Sequence, residues 1–340
     1  MNGINGNVIV GQSGGPTAVI NSSLAGVYKT ARDRGANQVY GMVHGIQGLL
    51  EERYVDLSKH ITSDLDIELL KRTPSAYLGS CRFKLPEISQ DREIYDKIFQ
   101  ILEKLEIGYF FYIGGNDSMD TIKKLSDYSL LNGSPIRFMG VPKTIDNDLA
   151  ATDHTPGYGS AAKYIGSITK EVIRDGLVYD QQSVTILEIM GRNAGWLTGA
   201  AALARCEDCE GPDMIFLPEV TFDVDKFMNQ VARLHEKKKS VVVAVSEGVK
   251  LADGRYVCEL TDGINFVDAF GHKQLTGTAR YLAEKINRDV GCKTRAIEFN
   301  TLQRCASHIV SRVDITEAYQ VGGAAVKEAF EGETGKMVIL

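Results

Sequence analysis

Along the chain, short apolar runs closed by glycine or a polar residue alternate with longer stretches whose apolar positions recur every three or four residues. The short runs, at 7–11, 38–43, 109–114, 136–141, 183–190, 214–217, 240–246 and 295–299, predict buried strands. The longer stretches, near 17–34, 63–72, 91–106, 117–131, 157–176, 195–206, 223–239, 274–291 and 314–331, predict helices. Strand and helix in alternation predict an α/β fold of mostly parallel, doubly wound sheets with helices on both faces. A length of 340 residues accommodates two lobes. A break is expected around 145–160, giving a first lobe over 1–150 and a second over 151–340, with a return to the first around 275–300.

Composition narrows the partners rather than the fold. Apolar residues make up 44% of the chain and charged ones 24%, as in ordinary soluble domains. Net charge is −6, and no basic block interleaved with aromatics points to nucleic acid; Lys237-Lys238-Lys239 reads as a helix end, where cations suit the dipole. No stretch reaches the roughly 20 apolar residues of a membrane span, and the first residues lack the pattern of a signal peptide. A cytoplasmic protein without a membrane partner is expected. The six cysteines, 81, 206, 209, 258, 292 and 305, read as reduced structural thiols. Cys206-Glu-Asp-Cys209 has metal-ligand spacing but neither a second pair nor a nearby histidine, and no metal or redox role is assigned to it. His44, His154, His272 and His308 form no constellation.

The chemistry gathers at strand ends. Gly140-Val-Pro-Lys-Thr-Ile-Asp-Asn-Asp148 follows the run at 136–141 and places Lys143, Thr144, Asp146 and Asp148 within six residues. Such a loop is either a solvated turn or a phosphoryl-transfer site: one carboxylate for a proton, another for a hard cation, a lysine for phosphate oxygens. Gly11-Gln-Ser-Gly-Gly-Pro-Thr17 opens the first helix and is either a tight structural turn or a phosphate cradle. It fits neither the dinucleotide fingerprint nor the Walker loop. Ile113-Gly-Gly-Asn-Asp-Ser118 is a second glycine turn before a helix, with Ser118 and Asp120 as capping groups. In a doubly wound sheet these turns converge on one cleft. Ser80-Cys-Arg82-Phe-Lys84 adds two cations. Arg192 and Glu247 follow two later strands, Arg295 and Arg304 flank another, and Trp196, the single tryptophan, reads as core.

Six motifs, Gly11-Gln-Ser-Gly-Gly-Pro, Gly114-Gly-Asn-Asp-Ser, Pro142-Lys-Thr-Ile-Asp-Asn-Asp, Met190-Gly-Arg, Ser246-Glu-Gly and Arg295…Gln303-Arg304, resemble the phosphofructokinases in order and spacing. The resemblance covers nearly the whole chain. It implies a two-lobed phosphofructokinase-like fold and transfer of a phosphoryl group to the 1-hydroxyl of fructose 6-phosphate, with magnesium, in a cleft between α/β lobes. The first lobe would bind the donor and the second the sugar phosphate.

By position, the resemblance implies Asp146 as general base, with Thr144 and Arg192 as stabilisers of the transferring group. Asp148 would support that chemistry and the metal, together with Asn116 and Asp117. Met190, Gly191, Arg192, Glu247, Arg295 and Arg304 would contact the sugar phosphate, alongside Thr144, Asp146 and Asp148. Gly11, Arg82, Gly115, Asn116, Asp117, Ser118 and Lys143 would face the donor.

Relatives that use ATP have glycines where this chain has Asp117 and Lys143, whereas pyrophosphate users resemble it. Asp117 would oppose an α-phosphate by bulk and charge, and Lys143 would pair with the short, highly charged pyrophosphate. Ile46 replaces a tyrosine that ATP users can carry. Pyrophosphate is therefore the expected donor, with an ATP-dependent enzyme as the alternative. Asn116 in place of an aspartate, and Ser183 in place of an arginine that reaches a neighbouring subunit, suggest a third reading, a non-catalytic sugar-phosphate-binding regulatory subunit. Thr301 also departs from the family, and Lys336–Leu340 resembles a strand where relatives continue, as in a truncated chain. The resemblance implies a homo-oligomer, dimer or tetramer, acting reversibly in glycolysis or gluconeogenesis.

Overall fold

The computed structural model describes residues 6–260 and 275–340; His272 and the first residue of the helix expected at 274–291 lie outside them. Strands among these residues are β1 (Asn7–Gln12), β2 (Val39–Met42), β3 (Tyr54–Asp56), β4 (Ile107–Gly114), β5 (Arg137–Pro142), β6 (Ser183–Ile189), β7 (Met214–Phe216), β8 (Ser240–Ser246), β9 (Lys293–Glu298) and β10 (Lys336–Met337). Helices are α1 (Ile20–Asp33), α2 (Gly45–Leu50), α3 (Asp64–Arg72), α4 (Arg92–Lys104), α5 (Asn116–Leu131), α6 (Tyr158–Leu177), α7 (Trp196–Gly199), α8 (Val224–His235), α9 (Thr278–Val290) and α10 (Arg312–Phe330). They form two compact units, Met1–Ser160 with Arg304–Leu340, and Ala161–Gln303.

The first unit holds a sheet in the order β10-β5-β4-β1-β2-β3, parallel except where β3 runs against β2. Alternation along the strands sorts its side chains. Val8, Val10, Phe111, Ile113, Met139 and Val141 meet α1 and α10 on one face. Ile9, Phe110, Tyr112 and Phe138 meet Ile98 and Leu102 of α4 and Ile122 and Leu125 of α5 on the other. Helices α1 and α10 touch through glycine. A Cβ on Gly26 would collide with the carbonyl oxygen of Tyr319, and one on Gly322 with that of Ser23.

The second unit is an all-parallel sheet, β7-β8-β6-β9. Val184, Ile186, Val241, Val243 and Val245 pack against Phe227 and Val231 of α8 and Leu282 and Ile286 of α9. Because α9 and β9 belong to this sheet and its cover, the segment returning to the first unit is Arg304–Leu340, and the 275–300 segment stays in the second.

Other differences from the sequence reading have local causes. Strand β3 and helix α2 are three and six residues long, too short to show a period. The helix expected over 195–206 is the four-residue α7 followed by a 3-10 turn, Ala200–Ala204. Helix α8 stops at His235, and Lys238 beyond it pairs with Asp213 and, at 3.6 Å, with Glu210. Trp196 is 58% exposed rather than core: Gly195 N–H is held by Glu219 Oε1 at 2.7 Å, and Leu197 takes the buried position beside it. Cys206 and Cys209 exchange backbone hydrogen bonds across their turn, which accounts for that spacing. No helix among the described residues is long and apolar enough to cross a membrane.

Candidate active site

Strands β5, β4 and β1 are parallel neighbours, so their carboxyl ends bring three turns together. Lys143 N–H donates to Gly114 O at 3.0 Å and Ser13 N–H to Ile113 O at 2.9 Å, stitching each turn to the next. The hydroxyls of Ser13 and Ser118 share a hydrogen bond. Ser118 therefore braces the first turn instead of capping α5, and Asp120 pairs with Lys124 at 2.7 Å; no side chain caps that helix. Gly114 is required here, since a Cβ would strike Ser118. Gly11 lies over Tyr112 and Met42, where a Cβ would sit 2.6 Å from the Met42 methyl carbon.

The glycine turn after β1 is ringed by cations. Lys143 is buried, and its ammonium donates to Gly15 O at 2.6 Å. Burial pulls its pKa down to about 8 against the pull of Asp146, and the charges of Arg304 and Arg82 push the same way as burial. A Cβ on Gly14 would lie 3.3 Å from the Lys143 ammonium, and one on Gly15 3.1 Å from Arg304 Nη1. Arg304 Nε is buried with no hydrogen-bond partner among the described residues. Ser80 Oγ donates to Gly14 O at 2.6 Å and Gly14 N–H to Cys81 O at 3.0 Å, tying the loop of Arg82 to the same turn. A desolvated lysine and two arginines beside half-buried glycine backbone can neutralise a polyanion.

The acidic side faces α5. Asn116 Nδ2 donates to Asp148 Oδ2 at 2.9 Å. Partial burial raises the Asp148 carboxyl above its ordinary value, Asp117 adds to that, and the Asn116 hydrogen bond and Lys143 oppose it. Asp117 occupies the first turn of α5, at the positive helix end. Among the described residues no three His, Cys, Asp or Glu side chains form a ready metal cage. Two carboxylates and an amide nonetheless suit a hard divalent cation that keeps waters and takes oxygens from a phosphate. Asp146 N–H donates to Thr144 Oγ1 at 3.1 Å, so the Thr144 hydroxyl is turned back onto its own loop.

In the second unit, Met190, Gly191, Arg192 and Glu247 stand together at the ends of β6 and β8. Ser246 Oγ donates to Gly191 O at 2.7 Å and accepts from Gly248 N–H at 3.0 Å, while Glu247 N–H donates to Ile189 O at 2.9 Å. Gly191 has φ 129°, a left-handed value that glycine tolerates. Met190 N–H donates to Gln303 Oε1 at 3.3 Å. Arg295 is not gathered with them. It lies on the exposed edge strand β9 opposite Thr185, about 16 Å of strand from Met190, and pairs with Asp175 at 3.2 Å. Arg304, grouped from the sequence with the sugar contacts, lies in the first unit against Gly15. Ser13, Ser80 and Ser246, which hold these turns, were not singled out in the sequence. Their only signal is position: Ser13 and Ser246 lie inside glycine motifs, and Ser80 directly follows Gly79.

A model of the phosphofructokinase family matches residues 7–329. The chain is 42% identical over 335 residues to pyrophosphate–fructose 6-phosphate 1-phosphotransferase of Halomonas elongata, covering 97% of this chain and 78% of the relative. It is also 42% identical over 330 residues to the protein of the same name in Xanthomonas campestris, with 96% and 78% covered. Among solved structures, the pyrophosphate-dependent phosphofructokinase of Nitrosospira multiformis superposes with a TM-score of 0.85 at 38% identity, covering 97% of this chain and 78% of that one. The chain belongs to the phosphofructokinase family.

Proposed function

We propose that this protein transfers a phosphoryl group from pyrophosphate to the 1-hydroxyl of fructose 6-phosphate, giving fructose 1,6-bisphosphate and phosphate. The observation that carries the choice of donor is the buried Lys143 ammonium on Gly15 O, with Asp117 in the first turn of the neighbouring helix α5. A short donor with its charge concentrated on two phosphates satisfies Lys143, Arg82 and Arg304 together. An α-phosphate with a nucleoside beyond it would have to pass Asp117, whose carboxylate repels it. Relatives named for the pyrophosphate reaction, at 42% identity, support the same choice.

Asp146 is assigned as general base. It takes the proton of the 1-hydroxyl as the oxygen–phosphorus bond forms and the bridging bond of pyrophosphate breaks, leaving phosphate. Lys143, Arg82 and Arg304 balance the charge of the donor and of the departing phosphate, and the backbone of Gly11 and Gly115 lets it approach. Ser118 holds the turn of Ser13. Thr144 and Arg192 stabilise the transferring group, and Met190, Gly191 and Glu247 orient the sugar phosphate. Arg295, on its exposed edge, is assigned to the sugar phosphate only through the family resemblance. Asn116, Asp117 and Asp148 would hold magnesium, which when bound neutralises phosphate oxygens. A cytoplasmic homo-oligomer, reversible in direction, completes the reading. Turnover of fructose 6-phosphate with magnesium, measured with pyrophosphate and ATP in parallel, tests it: activity with pyrophosphate is expected, and activity with ATP alone would overturn it.

A further inference from the structure

Resting on that reading, we propose that Asp314 is a positioning residue for the phosphoryl-transfer loop, acting through Gly157 on the backbone of Thr144. Asp314 sits in the first turn of α10, where an acidic residue ordinarily faces water and serves only its own helix. Here it is 3% exposed. Its Oδ1 accepts Gly157 N–H at 2.8 Å; its Oδ2 accepts Ser160 N–H at 2.8 Å and Ser160 Oγ–H at 2.5 Å. The carboxylate has therefore been given to another segment, the entry to α6, and it satisfies amide groups that the start of a helix leaves open. Among the described residues no side-chain cation pairs with it. Burial raises its carboxyl, Glu317 one turn along adds to that, and the three hydrogen bonds oppose the rise.

The segment it holds is the one against which the 143–148 loop is built. Thr144 and Gly157 pair as a parallel bridge, with Thr144 N–H donating to Pro156 O at 3.3 Å. Asn147 Oδ1 accepts Thr155 N–H at 2.8 Å. Gly157 has φ 109°, and a Cβ there would lie 2.8 Å from Thr17 Cγ2 and 3.3 Å from Thr144 O, so nothing larger fits between the loop and Thr17. Residues 155–157 are thus wedged between Thr144 and Asn147 on one side and Asp314 on the other. Glu317 makes a second tie, accepting from His154 Nε2 at 2.8 Å. Thr144 and Asp146 are two residues apart, so a shift of the wedge moves the base and the stabilising hydroxyl together. Misplacement by about 1 Å costs catalysis on the order of a hundredfold.

Asp314→Asn keeps the shape but only one acceptor oxygen; serving the two donors of Ser160 with it turns the amide NH₂ against Gly157 N–H and breaks that bond. Ser160→Ala removes the hydroxyl and leaves Gly157 bonded. Two readouts are taken on the full chain. Amide hydrogen exchange should show Thr144 losing protection in Asp314→Asn while Lys143, whose N–H is bonded to Gly114 O, keeps it; Ser160→Ala should leave both protected. With pyrophosphate as donor, kcat of Asp314→Asn should fall about tenfold to a hundredfold, with pyrophosphate still binding one per chain and the sugar-phosphate KM within about threefold, and Ser160→Ala should stay within about threefold of the parent. Unchanged Thr144 exchange in Asp314→Asn overturns the proposal. So does a kcat loss matched by lost binding stoichiometry, or by an equal loss in Ser160→Ala, since each marks general destabilisation. A parent protein inactive with pyrophosphate would instead sink the assigned reaction, and the exchange experiment would still decide whether Asp314 holds Thr144.

Discussion

The Lys143 ammonium donates to the carbonyl oxygen of Gly15 at 2.6 Å, bridging the turns that follow β5 and β1. Burial holds its pKa down to about 8. The ammonium is charged below that value and loses its proton as pH rises through it. A bound anion favours the charged form, so binding takes up a proton above about pH 8. Pyrophosphate affinity should therefore weaken as pH rises from 8 to 9.5, approaching tenfold per pH unit at the upper end. Calorimetric titration across that range checks this, and Lys143→Met should bind more weakly and lack the lysine's share of the dependence. An identical pH profile in both proteins would refute it.

Asp146 shares its loop with Lys143 and is assigned the proton of the sugar hydroxyl. Asp146→Ser should lower kcat by about a hundredfold to ten-thousandfold while changing sugar-phosphate affinity by only a few-fold. Steady-state kinetics with an independent binding measurement separates the two. Parental turnover in the variant would remove the mechanism.

Glu188, on β6, accepts N–H groups of Gly277 at 3.2 Å and Ala279 at 2.7 Å, yet burial raises its carboxyl to about 7, with Glu298 adding to the shift. An acid whose pKa is raised on folding binds its proton more tightly in the native state. Its stabilising contribution is complete below about 4.5, the ordinary value, and is lost as pH rises through about 7. Melting temperature should fall between pH 5 and 8, and Glu188→Gln, which cannot ionise, should flatten part of that fall. Superimposable pH profiles would contradict the assignment.

The contact of α1 with α10 leaves no room for a methyl at Gly26. Gly26→Ala should destabilise the first unit by about 1–3 kcal/mol, the usual cost of overpacking. Denaturant unfolding of the variant measures it, and a neutral result would mean that the two helices separate readily.

Much of this was legible in the chain because local pattern and global fold agree. The run at 240–246 is the strand β8 as found, and the helix expected from 117 begins at Asn116. The Gly11, Gly114 and Lys143 motifs could be placed together because parallel order and strand ends suffice to do so. What was not legible depends on pairing over long separations. Ser118 looks like a cap until Ser13, 105 residues earlier, takes its hydroxyl. Arg304 joins the first unit because α10 fits α1 through Gly26 and Gly322, which no periodicity reveals. Asp314 reads as a helix-start charge until Gly157 and Ser160 are folded over it.

Selection of pyrophosphate is assigned to Asp117 and Lys143 together. Its most direct test is the ratio of kcat/KM for pyrophosphate to that for ATP, measured in the parent and in the double variant Asp117→Gly, Lys143→Gly. The parent should strongly prefer pyrophosphate, and the ratio should fall by at least about tenfold in the double variant, as the repelling carboxylate and the pairing ammonium are removed together. An unchanged ratio, or a parent that prefers ATP, would contradict it.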